Sequence, residues 1–493
     1  TGGSVVVNGG SVTTTGTQSY GQALRLNGDT TLTALDVSFG KAVTGTGNLN
    51  VVGTSVIYGG QVSTTGTQAY SDTLTLGANT TLASTAGTLN FANIVDGPSS
   101  YNLTLRSATR LTLGSMDIAG NLSSTTLAGG VKQATGTRVQ VGGTSTFTAD
   151  TGTQQVAALT ATNNLFAGLL SLTQSNQGSW ADVSVTSSGP LQLNALQSSG
   201  SVNVQAQGAV TTSSITASGN LTLNSHGGAM SLGSAIVSGN LTAQTGGGAV
   251  LQTGQMVVSG NTSVMAGTGT ITLDNALNSF SGTLALQGQS TSVATSGNLV
   301  LASVTNTGPM SLRAPNGSIN LGLAFITGGD LTLESRDNMS LGGANISGSL
   351  NLSSTLGTVA FGQATVSGDL IAQTQGQQVD LGSANVSGNM SVQTHGGNIV
   401  QTATPNSALR VTGTSTLNAG SGNVSLPNLP NQFIGAVNLN ANNVTLVGNS
   451  GITLGSSTVS GNLNVTSATG NVTQSGLLRV NGTSTFNATQ GDV

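Results

Sequence analysis

Residues 346–390 read ISGSLNLSSTLGTVAFGQATVSGDLIAQTQGQQVDLGSANVSGNM, and this stretch decides the fold. A β-branched residue, then Ser-Gly, one polar residue and an apolar residue recur at Leu350, Leu370 and Met390. Successive copies of this motif lie 20 residues apart. Because self-similarity at a fixed period of about 20 to 50 residues is the signature of stacked repeats, the pattern predicts a solenoid.

The same motif extends the repeat in both directions along the chain. A 20-residue unit cannot bury its own apolar side chains, so each unit must stack on the next. The apolar residues of the motif therefore predict one interior ladder: Leu221, Leu241, Leu331, Leu350, Leu370 and Met390. The polar residues before them predict one corner column, along which stacked Asn amides hydrogen-bond: Asn220, Asn240, Asp330, Ser349, Asp369, Asn389 and Asn462.

Each repeat unit alternates apolar and polar residues, which is the period of a β-strand. In the first strand Leu221 and Leu223 share one face, and Thr222 shares the other with Asn224. After His226-Gly-Gly, the segments 229–232 and 235–237 predict a second and a third strand. The expected fold is an all-β parallel β-helix with about 20 residues and three short strands per coil.

A variant of the repeat occupies the N-terminal part of the chain. Thr14-Thr-Gly-Thr-Gln-Ser-Tyr20 recurs as Thr64-Thr-Gly-Thr-Gln-Ala-Tyr70, and all four Tyr lie within the first 101 residues. The sequence therefore predicts variant β-helix repeats at 1–105 and regular coils of one continuous solenoid at 106–493. We expect the chain to be a fragment of a longer protein.

The composition excludes several classes of protein. Only 5% of the residues are charged, 73 are Gly and none is Cys. Disorder is a weak alternative, because 36% of the residues are hydrophobic and they alternate. Thiolate metal sites and a Cys nucleophile are excluded. The net charge of −4, spread along the chain, gives no basic stripe for nucleic acid. No apolar run reaches about 18 residues, so we expect no membrane insertion.

The Thr-Gly-Thr-Gln-x-Tyr blocks and the Val-Ser-Gly-Asn-Leu coils resemble the filamentous-haemagglutinin-like exoproteins of Gram-negative bacteria. This resemblance covers essentially the whole chain. It implies a right-handed parallel β-helix, an outer-membrane transporter partner for two-partner secretion, and an extracellular location at the cell surface or in a biofilm matrix. Within that family, the sparse charge is most similar to a biofilm matrix adhesin that binds exopolysaccharide. No N-terminal secretion domain is evident.

Two places stand out as candidate carbohydrate-binding sites. Asp330, Glu334, Arg336 and Asp337 form the richest cluster of charge, with Arg313 one coil earlier. Alternation directs Asp330 and Glu334 outward and places the other two at a corner, where a solvated ion pair is the simpler interpretation. Trp180 is the single Trp and lies in a predicted loop. Its ring is a candidate for stacking on a sugar, although closing the loop over the core is the simpler role.

Catalytic and metal sites have little support in the sequence. Polysaccharide-cleaving sites require clustered carboxylates, yet the chain has 14 acidic residues, of which one is a Glu. His226 and His395 both precede Gly-Gly, so they occupy the same corner of distant coils and cannot share one ion. We expect both to be surface turn residues, with no catalytic residue, cofactor or metal.

The sequence thus favours an extracellular adhesin shaft that binds exopolysaccharide or a surface glycan. Three alternatives remain open. A polysaccharide-active β-helix enzyme is opposed by the shortage of carboxylates. An ice-binding solenoid requires regular Thr-x-Thr arrays at one coil position. The third alternative is that the chain is the passive stalk of a contact-dependent toxin.

Overall fold

A computed structural model describes residues 3–152, 154–322, 325–402 and 407–493. The described residues contain strands and turns and no helix. The chain forms two compact units, Thr1–Gly248 and Ala249–Val493. Both are β-solenoids of parallel strands, with about 20 residues between equivalent positions of successive coils. The prediction of a parallel β-helix is therefore confirmed, whereas a change of repeat at residue 105 stays a prediction.

Unit 1 is Thr1–Gly248, and its strands form two sets. One set is a separate nine-stranded sheet made of β2, β3, β5, β7, β9, β11, β14, β17 and β20. The bounds of all strands in unit 1 are β1 Ser4–Val7, β2 Gly10–Thr13, β3 Thr17–Tyr20, β4 Ala23–Leu26, β5 Thr30–Phe39, β6 Val43–Gly45, β7 Leu49–Ile57, β8 Gln61–Thr64, β9 Gln68–Leu76, β10 Thr80–Ser84, β11 Leu89–Asp96, β12 Leu103–Ser107, β13 Leu111–Leu113, β14 Ser115–Ile118, β15 Leu122–Thr126, β16 Gly130–Gln133, β17 Val139–Val141, β18 Ser145–Ala149, β19 Gln155–Leu159, β20 Leu165–Phe166, β21 Leu170–Gln174, β22 Trp180–Ser187, β23 Leu191–Leu193, β24 Leu196–Ser198, β25 Val202–Ala206, β26 Val210–Ala217, β27 Leu221–Ser225, β28 Met230–Val237 and β29 Leu241–Thr245.

Unit 2 is Ala249–Val493, and strands of successive coils pair in parallel throughout its described residues. Their bounds are β30 Val250–Gln252, β31 Met256–Val258, β32 Thr262–Met265, β33 Ile271–Leu273, β34 Ser279–Phe280, β35 Leu284–Gly288, β36 Thr291–Ala294, β37 Leu299–Asn306, β38 Met310–Ala314, β39 Ile319–Leu321, β40 Phe325–Thr327, β41 Leu331–Ser335, β42 Met339–Ile346, β43 Leu350–Ser354, β44 Val359–Val366, β45 Leu370–Thr374, β46 Val379–Asp380, β47 Ser383–Val386, β48 Met390–Gln393, β49 Ile399–Val400, β50 Leu409–Val411, β51 Ser415–Asn418, β52 Val424–Leu426, β53 Gln432–Phe433, β54 Val437–Ala441, β55 Val444–Gly448, β56 Ile452–Leu454, β57 Ser457–Val459, β58 Leu463–Ser467, β59 Val472–Gln474, β60 Leu478–Val480 and β61 Ser484–Ala488.

The three predicted strands of a coil are present, but the second and third often join. In β28 they form one eight-residue strand, and the alternation of buried and outward residues shifts at Gly233. A Cβ atom on Gly233 would lie 1.8 Å from the carbonyl oxygen of Ser213 in the neighbouring coil, so this close approach requires glycine. In the coil of β46 and β47 the two segments stay separate around Gly382, whose φ is 45°.

Stacked apolar columns form the core of each unit. Leu221 pairs with Leu241 in unit 1. In unit 2, Leu331, Leu350 and Leu370 pair in sequence, and Leu370 then pairs with Met390. All of these side chains are buried. Burial of each such side chain stabilises the fold by about 1.5 to 3 kcal/mol. The predicted ladder is therefore confirmed within each unit.

The corner column contains a hydrogen bond of the predicted kind from a stacked amide, from Asn389 Nδ2 to Asp369 Oδ1 at 3.3 Å, but backbone contacts dominate. The side-chain oxygens of the column accept hydrogen bonds from backbone N–H groups of the next coil. In unit 1, Asn220 Oδ1 accepts the N–H of Asn240 at 2.9 Å. In unit 2, Asp369 Oδ1 accepts the N–H of Asn389 at 2.7 Å. A carboxylate, amide or hydroxyl oxygen serves equally well, which explains why Asp, Asn and Ser alternate at this position.

The prediction that Asn462 continues the same corner column is wrong. Asn462 donates its backbone N–H to Asn443, whose own N–H bonds to Asn423. The following residue, Leu463, pairs with Val444 rather than extending the column of Met390. The residue that pairs with Val437 in the next coil is Leu454, which precedes the motif at Leu463 by nine residues. The motif at Leu463 therefore lies on a different strand of the coil from the motif at Met390.

The Thr-Gly-Thr-Gln-x-Tyr motif is a buried hydrogen-bond network. Gln68 Nε2 donates to the carbonyl oxygens of Val62 and Ala83, at 3.1 and 2.7 Å. The Tyr70 hydroxyl donates to Gln68 Oε1 at 3.2 Å. Gln18 and Tyr20 repeat the arrangement, with 3.0 Å between the Tyr20 hydroxyl and Gln18 Oε1. Such a network fixes the register of neighbouring coils, because each buried polar group must find its partner.

Buried Gln–Asn pairs add a second register device. Gln133 and Asn164 exchange two hydrogen bonds of 2.8 Å through their amide groups. Gln401 and Asn431 do the same at 2.9 and 2.7 Å. In both cases the Asn also accepts a backbone N–H, from Val139 and Leu409 respectively. A slip of one residue leaves these amides unpaired inside the core, so the pairs favour a single register.

Candidate carbohydrate-binding surface

Trp180 is not available to a sugar, which corrects its assignment as a carbohydrate contact. Its side chain is 0% exposed, and Nε1 donates to the carbonyl oxygen of Thr173 at 2.9 Å. The loop before it turns at Asn176 and Gln177, both with positive φ. The ring therefore closes the loop over the core, as the simpler interpretation of the sequence predicted.

Asp330 does not join the other charged candidates. Its Oδ1 accepts the backbone N–H of Ser349 at 2.8 Å, so the carboxylate belongs to the corner column. Arg336 and Asp337 lie at the opposite end of β41. Arg336 follows Asp330 by six residues across this strand, so at about 3.3 Å per residue the two lie about 20 Å apart. The four charged candidates therefore form no single site.

Glu334 and Arg313 form an exposed ion pair between neighbouring coils. The two residues are in register, and Arg313 Nε lies 2.8 Å from Glu334 Oε2. The predicted ion pair at the corner, between Arg336 and Asp337, is not among the ion pairs of the described residues, and the pair that forms lies on the strand instead. Arg336 and Asp337 occupy the bend after β41, as predicted. Arg313, Glu334 and Arg336 border an open depression of about 200 Å³.

Both His residues lie on exposed turns, as predicted. His395 has a φ of 52°, and its Nδ1 is 2.8 Å from the carbonyl oxygen of Thr374. His226 makes a longer contact, 3.3 Å, to the carbonyl oxygen of Ala206. In the described ranges, no group of three or more His, Asp or Glu is placed to hold a metal ion.

An outward row of side chains runs along unit 1, one residue from each coil. We name it the unit-1 row, and parallel pairing fixes every step of it: Arg25, Thr44, Ser63, Ala83, Arg106, Thr125, Thr148 and Thr173. Neighbouring side chains are about 4.8 Å apart, which is the strand spacing of a sheet. The Thr148 and Thr173 hydroxyls are hydrogen-bonded at 2.8 Å. The row thus presents repeated hydroxyl groups to solvent.

The charges in the unit-1 row are all positive. Arg25 and Arg106 are exposed, and neither has an ion pair or a side-chain hydrogen bond among the described residues. No member of the row is acidic. This local excess of positive charge contrasts with the net charge of −4 on the chain.

The corresponding row of unit 2 is neutral. We name it the unit-2 row, and it occupies the same position within its strands: Arg313, Glu334, Ser353, Gln373, Gln393, Asn418 and Asn440. Its one Arg is paired with Glu334, Ser353 carries its one hydroxyl, and the other four positions carry amides. Asn440 Nδ2 donates to Asn418 Oδ1 at 2.9 Å.

Sequence reasoning missed Arg25 and Arg106. Alternation in Leu24-Arg-Leu26 and Leu105-Arg-Ser107 is enough to direct both Arg outward. That they share one row, and that no acid shares it, follows only from the register of the coils. The register is set by the intervening coil lengths, which vary.

A family model described as repeats of unknown function (DUF5649) matches more than half of the chain. The matches cover residues 100–173, 181–235, 219–287, 368–440 and 441–493. The chain belongs to this repeat family. The matches at 100–173 and 368–440 each contain one of the buried Gln–Asn pairs.

The other comparisons add no relative. No curated protein and no solved structure matches the chain. Within the described residues, no helix is long and apolar enough to cross a membrane.

Proposed function

We propose that the chain is part of an extracellular bacterial adhesin whose outward rows bind exopolysaccharide or a surface glycan in a biofilm. The observation that carries the proposal is the unit-1 row, in which five of the eight stacked outward side chains carry a hydroxyl group and two are Arg. Ser and Thr hydroxyls both donate and accept hydrogen bonds, as sugar hydroxyls do. A regular array of weak contacts suits a repeating polymer, because many contacts made together give avidity.

Export and location follow from the resemblance to filamentous-haemagglutinin-like exoproteins. The proposal places the protein at the bacterial cell surface or in the biofilm matrix, after two-partner secretion through an outer-membrane transporter. It assigns the chain no catalytic role. The single Glu, Glu334, is held in an ion pair, and Asp330 is held in the corner column.

Binding of the purified chain to exopolysaccharide tests the proposal. We expect retention of long polymer and weak binding of short oligomers of the same sugar, with apparent affinity rising about a hundredfold or more with length. Surface plasmon resonance with immobilised chain measures both. Absence of retention, while the full-length protein is retained, would contradict the proposal and reduce this chain to a passive stalk.

A further inference from the structure

We propose that a depression beside Arg106 is a subsite for carboxylate groups of an acidic polysaccharide. This inference rests on the glycan-binding function proposed above and adds the ligand class to it. The site lies entirely within unit 1. Two features of the depression carry the inference: its shape and an unpaired guanidinium group.

The depression is a small concavity of about 90 Å³ in the unit-1 row. Ala83 occupies the row position directly before Arg106. Because its side chain ends at Cβ, it leaves room between the larger side chains of the neighbouring coils. The residues that line the depression are Ala83, Ser84, Thr85, Arg106, Ser107, Thr125 and Leu127.

Arg106 supplies the charge. Its guanidinium group is exposed and lacks an ion pair in the described structure. Guanidinium groups bind carboxylates through two parallel hydrogen bonds, which makes Arg well suited to uronic acids. Thr125 and Thr85 border the same space and can hydrogen-bond the sugar hydroxyls. Arg25 lies four coils away in the row, about 19 Å, so one extended polymer can reach both Arg residues.

The depression beside Arg313 in unit 2 is the natural comparison. It is larger, about 200 Å³, but Glu334 already pairs with Arg313 at 2.8 Å. An incoming carboxylate must compete with that Glu and is repelled by it. We therefore expect an acidic polymer to bind at the unit-1 depression, where Arg106 is unpaired, and not at the unit-2 depression, where Arg313 is paired with Glu334.

Polygalacturonate and its methyl-esterified form are matched probes, because they share one backbone and differ in charge. We expect the chain to bind polygalacturonate more tightly than the ester, with affinity falling as salt rises. Arg106→Gln is expected to weaken polygalacturonate binding about tenfold and to leave binding of the ester unchanged. Arg313→Gln is the control and is expected to leave both unchanged.

Dextran sulfate, compared with dextran, tests whether any polyanion binds at Arg106. If Arg106→Gln weakens binding of dextran sulfate as much as binding of polygalacturonate, the site binds anions in general, and the assignment to carboxylates is overturned.

The outcomes separate this inference from the function on which it rests. If the chain binds neutral exopolysaccharide and Arg106→Gln has no effect on polygalacturonate, the subsite is wrong and the adhesin proposal stands. If the chain binds neither charged nor neutral polymer, both are wrong. A selective loss in Arg106→Gln, with circular dichroism unchanged, supports both.

Discussion

The outward rows of the two units occupy the same strand position but differ in charge. In the unit-1 row Arg106 faces Thr125 on the next coil, and no acid is present. In the unit-2 row Arg313 faces Glu334 on the next coil and pairs with it at 2.8 Å. One residue, Thr or Glu, thus decides whether the guanidinium group is available to a ligand.

The contrast shows that core and surface carry separate information in this fold. Inward positions repeat Leu, Val and Ile in both units because stacking requires similar side chains. Outward positions are free to differ from coil to coil at little cost in stability. Ligand preference is therefore expected to vary along the chain while the fold stays the same.

The largest expected effect is a loss of folding stability when a buried Leu is truncated, and it is expected in both units. Leu105→Ala in unit 1 and Leu352→Ala in unit 2 each remove a fully buried side chain from a stacked column. Each is expected to lower the free energy of unfolding by about 2 to 5 kcal/mol. Denaturant unfolding followed by circular dichroism measures both. A loss below about 1 kcal/mol in either variant would show that its column is not packed as described.

Alkaline pH is expected to affect unit 1 selectively, because all four Tyr lie there. Burial raises the pKa of Tyr70 above its ordinary value of 10.0. As pH rises through about 10 the unfolded chain loses this proton and the folded chain keeps it. Stability is therefore full below pH 10 and falls above it, by about 1.4 kcal/mol per pH unit.

Fluorescence of Trp180, the single Trp, follows unit 1 in such a titration. Tyr70→Phe is the control. It also loses the hydrogen bond to Gln68, so its stability is lower at neutral pH, but its decline above pH 10 is expected to be shallower. Parallel curves for the wild type and this variant would rule out Tyr70 as the cause.

The corner columns are expected to contribute to stability in both units, although Asn423 Oδ1 accepts a second hydrogen bond, from Asn443 Nδ2 at 3.0 Å. Asn102 Oδ1 accepts the N–H of Asn121 at 2.8 Å in unit 1, and Asn423 Oδ1 accepts the N–H of Asn443 at 3.0 Å in unit 2. Substitution of either Asn102 or Asn423 by Ala is expected to cost about 1 kcal/mol. Asp at the same positions keeps the acceptor, so most of the stability should return. Thermal unfolding of the Ala and Asp variants, compared pairwise, decides whether the acceptor matters.

The smallest expected effect is also the sharpest test of the contrast. Thr125→Glu gives Arg106 an acidic neighbour, and Glu334→Thr frees Arg313. The first is expected to weaken polygalacturonate binding about threefold and the second to strengthen it about threefold, because exposed ion pairs contribute up to about 1 kcal/mol. Isothermal titration calorimetry at low and high salt measures both. If both variants raise or both lower the affinity for polygalacturonate, an acidic neighbour does not control whether the Arg binds the polymer.

The repeat period and the alternation were enough to predict the fold. They identified the columns through Leu221 and Leu370 because those residues recur at the length of one coil. They misplaced Asn462, since the coil above Val437 closes before the motif recurs, and coil closure depends on the stacked neighbours.

The site was less predictable than the fold. The buried position of Trp180 depends on a loop whose path involves two positive-φ residues. Clustering along the sequence grouped Asp330 with Arg336, although a strand separates them by about 20 Å. The unit-1 row, by contrast, joins residues that are distant in sequence, from Arg25 to Thr173. Only coil register brings them together.

Distances along the unit-1 row test the central claim most directly. The chain has no Cys, so spin labels can be attached to Cys introduced at position 44 together with position 125, 148 or 173. Four, five and six coils separate these pairs, which predicts distances of about 19, 24 and 29 Å in double electron–electron resonance. A steady increase of about 4.8 Å per coil supports the stacked row. Distances that do not increase in this order, or that show no defined maximum, would contradict it.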